Sequence, residues 1–453
     1  MEREKSVRGV PYGSADLPLF GEADVVIAGA GPGGLGAALA AAWCGASVLV
    51  IEEYGVPGGM ASIGEVHPFM ISHVGSESLD HPVYGQWLEA MKKYLPHCIV
   101  NDVINPYDYS CRSINKEAAA LGAEDMLLAA GVKILYHHTA VGVEKNADGN
   151  ISAVICHTRC GFGKVCGKTF ADCTGDGHLA AMAGCPFEQG DERGGCQPMT
   201  LCFKLSHVKI PFIQAPDGSK FYDINWRTKL NESYVAARKS GRIKSPRENV
   251  LIFPFQIADE NTLHFNMTRV IGLDGTCGAD LSAAEIEGRR QMREIINWLR
   301  SDHPEFAEAR LMSMAIQIGV RESRRITGIY QLVLDDFKAA KHFQDAIARC
   351  SYNVDIHSPW GEGTTYAHLE PGTFYEIPYR CVVPANRINL TVGGRPVSAD
   401  VAVHSSLRIM PTAISIGQGA GIGAALAALR NTTPDKIDGI EVRELLKKFG
   451  ARL

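Results

Sequence analysis

The sequence predicts an α/β fold in which a parallel sheet carries an inserted β-meander and is joined to an antiparallel α+β cap region. Three observations predict it. A short apolar run closes on a glycine turn near the start, three short runs interrupt the return to the same sheet, and from about residue 186 continuous apolar runs give way to alternation.

Asp24 to Gly29 (DVVIAG) is a continuous apolar run ending in glycine, the pattern of a strand buried on both faces. Gly29-Ala30-Gly31-Pro32-Gly33-Gly34 follows, then an alanine-rich helix, LGAALAAAWCGA, and a second apolar run, Ser47 to Ile51, ending at Glu52. Strand, glycine turn, helix, strand and acid together make the unit that cradles a dinucleotide. Gly29 permits the tight turn, Gly31 lets the backbone approach a pyrophosphate, and Gly34 lets helix and strand pack closely, with Pro32 and Gly33 completing the turn. The helix N-terminus then faces the anion with free amides and a favourable dipole. Glu52, with Glu53 beside it, stands 23 residues after Gly29, where a carboxylate accepts hydrogen bonds from ribose hydroxyls.

Further on, INKEAAALGAEDMLLAAG reads as a helix closed by Gly131, and VKILYHH as a third parallel strand. Ala140–Glu144, Ile151–His157 and Val165–Asp172 read as the meander, the first two joined by the tight hairpin signal Asp148-Gly149. The chain returns to the sheet at Phe170 to Gly177. Ala140 and Val141 at the start of the meander and Thr174-Gly175-Asp176 at its end are grouped with the cofactor residues. In the cap, MTLCFKL, VLIFPF and TLHFNMTRV alternate as antiparallel strands do, with helices expected at 281–301 and 335–349. INLTV (Ile388–Val392) is an apolar strand leading into Gly393-Gly394, and a glycine- and alanine-rich helix is expected from Thr412 to Leu429. The domains expected are 22–185 for the first part of the cofactor domain, 186–380 for the cap or substrate domain, 381–430 for the rest of the cofactor domain, and 431–453 for a helical tail.

Three features favour FAD over NAD: the inserted meander, the second glycine turn Gly58-Gly59-Met60-Ala61 soon after Glu52, and the C-terminal strand–turn–helix unit. Along residues 22 to 430 the sequence resembles the FAD-dependent oxidoreductase family of the glutathione-reductase-like superfamily. The segments that carry the resemblance include VVIAGAGPGGLGAALAAAWCGASVLVIEE, GGMAS, DCTGDGHLAAMAGCPFEQG, RESRRITGIYQLVLDDF, YEIPYRCVVP and NLTVGGRPVSADVAVHSSLRIMPTAISIGQGAG. The resemblance implies a Rossmann-like FAD-binding domain, an Arg395 that follows Gly394 and meets the pyrophosphate, and a helix starting near Pro411 that aims its N-terminus at the flavin. Guanidinium matches phosphate oxygens well, and proline suits a first helical turn. Gly417 and Gln418 are grouped with that cofactor-facing helix, whose glycines at 417, 419, 421 and 423 imply close packing against the cofactor or sheet.

FAD chemistry on a carbon bearing a hydroxyl or amino group calls for a base. His404 is the first candidate, with a cofactor-contact or positioning role as the alternative, and His357 is the second. His67 and His73 could line the flavin pocket. Among Arg321, Arg324 and Arg325, one, Arg325 foremost, would hold an anionic or polyhydroxylated substrate; the alternative is an ion-pair network with Glu322, Asp335 and Asp336. Tyr375 and Tyr379 either reach a substrate hydroxyl or pack.

Composition bounds the rest. A formal net charge of -5, from 45 basic and 50 acidic side chains, gives no reason to expect a nucleic-acid partner. No uninterrupted apolar run reaches membrane-spanning length and the N-terminus lacks a secretory pattern, so no membrane partner and a cytoplasmic location are expected. The thirteen cysteines show no C-x-x-C pair and read as reduced thiols; no metal site is expected. The expected partner is a small-molecule substrate, with a homo-oligomer left open. A reductase of activated double bonds and a non-catalytic scaffold of the same fold are the alternatives to a hydride-accepting enzyme.

Overall fold

The structure, a computed structural model, describes residues 17–95, 115–214, 220–254 and 261–453. The first run forms β1 (Leu19–Ala28), the helix after the glycine turn α1 (Pro32–Trp43), and the second run β2 (Val48–Glu52). They are followed by α2 (Val83–Lys92), α3 (Lys116–Ala129), β3 (Lys133–Tyr136) and the meander strands β4 (Thr139–Lys145), β5 (Ile151–Thr158) and β6 (Gly161–Asp172). Asn115 caps α3 by accepting from the Ala118 amide, as an asparagine before an apolar helix should.

The twelve residues of β6 organise the sheet. Its first half is the third meander strand, antiparallel to β5 (Ala153 opposite Cys166). Along its length it runs parallel to β1, with Val25 opposite Thr169 and Ala28 opposite Asp172. The meander and the return to the sheet are thus one continuous strand. The C-terminal half of β6 pairs with the strand formed by Leu390–Val392 (Val392 opposite Asp172). The strand ends Ala28, Asp172 and Val392 therefore lie level, and the turns that follow them meet at one edge.

The cap contributes β7 (Phe203–Ser206), α4 (Ile224–Lys239), β8 (Ile252–Pro254), β9 (Leu263–Phe265), α5 (Gly278–Asp302) and β10 (Arg310–Met314). Its sheet has the order β8-β9-β7-β10. One face carries Phe203 and Phe265, stacked at 4.7 Å, and packs on Met292, Ile295 and Leu299 of α5. Next come α6 (Leu334–Lys338), β11 (Ala346–Cys350), β12 (Val354–His357), β13 (Tyr375–Pro378) and β14 (Leu390–Val392). The helix expected at 335–349 is a correction: α6 ends where Ala340 turns to φ +44°, and residues 346–350 are a strand antiparallel to β13. Ile347 and Ala348 are buried from both sides there, so a tertiary pairing overrides their helical spacing.

The chain closes with α7 (Val401–Leu407), α8 (Met410–Leu429) and α9 (Gly439–Lys448). Ile347, Tyr375 and Ile377 share a core with Ile416 and Ala420 of α8 and with Val442 and Leu446 of α9. Among the described residues α8 is the one helix long and apolar enough to cross a membrane, and it is almost wholly buried inside the fold.

Candidate active site

Where the three strand ends meet, the backbone is locked. The Cys173 amide donates to the Ala28 carbonyl at 2.8 Å, the Gly393 amide to Asp172 at 2.9 Å, and the Gly29 amide to Ile51 at 2.8 Å. Gly29 sits at φ +96°, and a side chain there would strike the Cys173 carbonyl. A Cβ on Gly34 would stand 1.9 Å from the Gly29 carbonyl oxygen, the close helix–strand packing expected of it. A Cβ on Gly33 would stand 2.9 Å from both the Gly393 carbonyl oxygen and Gly394 Cα, a contact that the spacing of the glycine turn did not announce.

A Cβ on Gly31, by contrast, would meet only Gly59 Cα, at 3.8 Å, so the space before the helix stays open. Neither α1 nor α8 carries a side-chain cap, whereas α3, α7 and α9 do. α1 has no acid in its first turn, and Pro32 and Pro411 open the two helices. Two uncapped N-termini at the level edge of a parallel sheet suit a pyrophosphate at α1 and an electron-rich group at α8. These residues fit FAD.

Glu52 is buried, and its carboxylate accepts from the Ala30 amide at 2.7 Å and the Tyr54 amide at 3.0 Å. It braces the glycine turn from below, and burial pushes its pKa up to about 7. Glu53 points outward next to it. Ala140 and Val141 open β4 beside this point, because the His138 amide donates to the Glu52 carbonyl. Gly58 closes on Ala30 through its amide, and Met60 and Ala61 form a short turn over the same edge.

Arg395 is more committed than expected. It donates to the Gly175 carbonyl at 2.6 Å, to the Val320 carbonyl and to Asp176, with which it forms an ion pair. Thr174 anchors that loop through Asp172. All three guanidinium nitrogens of Arg395 thus hold protein, clamping the end of β6 to the cap. Gln418 is likewise engaged: its amide accepts from Val83 and donates to the His81 carbonyl, both at 3.0 Å. It ties α8 to α2 rather than facing an open cofactor space.

The catalytic candidates separate. His404 has no exposed surface, and neither ring nitrogen has a partner. Burial, then Arg325 and Arg408, hold its pKa well below the usual range. His357 bonds Thr364 at 3.0 Å and lies 3.5 Å from Asp355, with its pKa lowered by burial to about 4. Arg325 is buried, and each of its three nitrogens is already held by protein: Glu322 and the Ala399 and Gly190 carbonyls. Asp336 pairs with Lys341 and not with an arginine. Tyr375 and Tyr379 are buried, bonded to Ser406 and Pro434. His73 lies on a short hairpin and donates its amide to Ser351.

The second face of the cap sheet forms the rest of the site. Lys204 lies opposite both His264 and Ser313, and His264 lies opposite Phe253, making one row across four strands. Lys204 and His264 are buried, and both ring nitrogens of His264 lack partners. Facing them is the segment after Gly58-Gly59. The His67 ring lies 5.2 Å from that of His264, and Glu65 accepts from Ser313 at 3.1 Å and sits 3.7 Å from Lys204. Burial drives the pKa of both histidines well down, so both rings are neutral. The alternation of Thr200, Cys202 and Lys204 with Met199, Leu201 and Phe203 held this signal in the sequence. It went unread because polar positions on a strand ordinarily face water.

A profile of the family described as FAD dependent oxidoreductase matches residues 24–446. The chain belongs to that family. Among solved structures, this FAD-dependent oxidoreductase is similar to a geranylgeranyl bacteriochlorophyll reductase-like protein from Thermoplasma acidophilum. That likeness has 12% identity and a TM-score of 0.50, and covers 95% of this chain and 84% of that one. A flavoprotein/dehydrogenase from Cytophaga hutchinsonii matches with 13% identity and a TM-score of 0.44, over 94% and 83% of the two chains. A search of curated proteins finds no match. The first of these likenesses speaks to the fold alone, and the chemistry has to come from the site.

Proposed function

We propose that this oxidoreductase removes a hydride from a substrate carbon bearing a hydroxyl or amino group. The observation that carries the reading is the row of Phe253, His264, Lys204 and Ser313, with His264 and Lys204 buried at its centre, set against the Gly58–His67 segment at the cofactor edge. A buried imidazole with neither nitrogen partnered, beside a buried lysine, is costly unless something is meant to bind it. FAD, when bound, supplies the hydride acceptor. The chain supplies the proton acceptor and the orientation. A neutral His264, with two free nitrogens, takes the heteroatom proton, and His67 stands behind it, its Nε2 3.0 Å from the Ala61 carbonyl. Lys204, tethered by Glu65, donates to the same heteroatom and steadies its developing charge. The closed cap keeps water from that proton transfer.

The test is an absorption spectrum of the purified protein before and after incubation with FAD, then anaerobic titration with polyols, hydroxy acids, amino acids and amines. A yellow protein bleached by one class supports the reading. His264→Asn is expected to slow bleaching by about 10²–10⁴-fold with FAD content unchanged. A protein that takes up no FAD overturns it.

A further inference from the structure

Further along the same cap face, where Thr200 and Asn266, β12 and the loop before α8 meet, three guanidiniums lie without an ion-pair partner among the described residues. Arg321 is held along the cap face by the Pro198 carbonyl at 2.7 Å, Thr200 Oγ1, and Asn266 Oδ1 at 3.4 Å. Arg408 donates to the Ser405 and Asp355 carbonyls, each at 3.2 Å. Arg247 is 7% exposed and its Nε has no partner. Other arginines of the region are neutralised: Arg325 by Glu322, Arg395 by Asp176, Arg269 by Glu248. Arg321 and Arg408 stand apart because the acceptors they touch are neutral, and Arg247 because its buried Nε has none.

The surrounding groups mark the same spot. Gln197 accepts from the His357 amide at 3.1 Å, but its buried Nε2 donates to nothing. Asp355 reaches His357 with one oxygen, and its other oxygen is buried without a partner. Burial, then Arg408 and Arg247, push the Arg321 pKa down to about 9, the mark of cations crowded together. Burial opposes the charge on Asp355, yet His357, Arg408 and Arg321 keep its pKa near about 2. Asp355 faces all three guanidiniums; the other acids nearby, Glu248 and Glu322, are already paired with Arg269 and Arg325, and His357 adds no charge at neutral pH.

We infer that Arg321, Arg408 and Arg247 form a subsite for a substrate carboxylate, next to the His264 and Lys204 row. The inference rests on the proposed hydride chemistry for its place in the reaction, and it narrows the substrate to hydroxy acids or amino acids. A planar carboxylate matches the guanidinium fork, and its charge relieves a buried surplus that a neutral sugar or polyol leaves standing. With the carboxylate held there, the substrate carbon is fixed relative to the proton-accepting row.

The experiment titrates FAD-loaded protein with acetate, succinate and benzoate, with acetamide, succinamide and benzamide, and with inorganic phosphate. It is read by the flavin difference spectrum and by calorimetry. The carboxylates are expected to bind at least tenfold more tightly than their amides. Arg321→Gln is expected to weaken carboxylate binding tenfold or more, with FAD content unchanged, and Arg321→Lys to weaken it less, since charge remains while the fork is lost. Thermal unfolding of both variants identifies any that is misfolded, and Arg408→Gln provides the independent second site. Equal binding of acids and amides, tighter binding of phosphate, or unchanged affinity in folded Arg321→Gln and Arg408→Gln proteins overturns the inference. If the protein takes up no FAD, calorimetry on the unloaded chain still separates the two ideas. Arginine-dependent carboxylate binding there upholds the subsite while the flavin reading falls, and its absence removes both.

Discussion

Glu52 joins two requirements in one buried carboxylate. It must hold the glycine turn through the Ala30 and Tyr54 amides, and it must do so without solvent. Burial raises its pKa from the 4.5 of a free glutamate to about 7. The sign follows: between those values the folded chain holds a proton that the unfolded chain has released. The contribution of Glu52 is therefore full below about pH 4.5 and is lost as pH rises through about 7. Apoprotein melting temperature is expected to fall between those limits and Glu52→Gln to flatten part of that fall, as scanning calorimetry would show. Asp80, also raised by burial to about 7, adds to the same fall. A variant as steep as the parent would show that Glu52 is not the titrating group.

At this scale the sequence was legible where spacing alone fixes a role. Gly34 is such a case, set by its place in the glycine turn; spacing pointed Glu52 at a ribose, whereas the contacts seen are to the Ala30 and Tyr54 amides. His404 was not legible, because chain neighbours do not reveal what a side chain meets across the fold, and it lies by arginines from two other segments. For Arg325 the pair with Glu322, three residues away, was the alternative the sequence offered, and it is the one formed.

Among the elements, α8 repays attention. Its four glycines were expected to answer to the cofactor or the sheet, yet they serve two other neighbours. A Cβ at Gly417 or Gly421 would lie 2.1 Å from a carbonyl oxygen of α1, while Gly419 and Gly423 admit Ile347 of β11 and Tyr379. Positions four apart share one face of a helix, so α8 presents one glycine face to α1 and the other to the C-terminal core. Gly421→Ala is expected to cost about 1–3 kcal/mol, since backbone and not a flexible side chain is in the way. Gly278→Ala, which meets nothing within 4 Å, is the control. Denaturant unfolding of the two measures the difference, and equal stability would mean that the helices can separate freely. The fold class and the order of its main elements were readable from periodicity. The fate of residues 346–350 was not, because Ile347 and Ala348 suit either a helix or a buried strand until their partner β13 is known.

At the scale of the molecule, the cofactor edge is assembled from distant stretches of chain. Gly29, Cys173 and Gly393 close on one another, and β14 completes the sheet beside the C-terminal half of β6. A fragment ending at residue 380 lacks β14, Arg395 and the helix that packs on α1. It is expected to retain no FAD after gel filtration, although the cap, with its own core between α5 and the sheet, keeps its structure. Stoichiometric FAD on such a fragment would mean that the first glycine turn suffices.

The level alignment of Ala28, Asp172 and Val392 also sets a clock on biosynthesis. A growing chain carries its first glycine turn out of the ribosome long before the strand that closes the far side of the sheet exists. Until residues 390–429 emerge, the apolar flank of α1 that α8 will cover stays open and the binding edge stays incomplete. FAD capture is therefore expected only once residues 390–429 are in place, and before that the cofactor edge has no far wall.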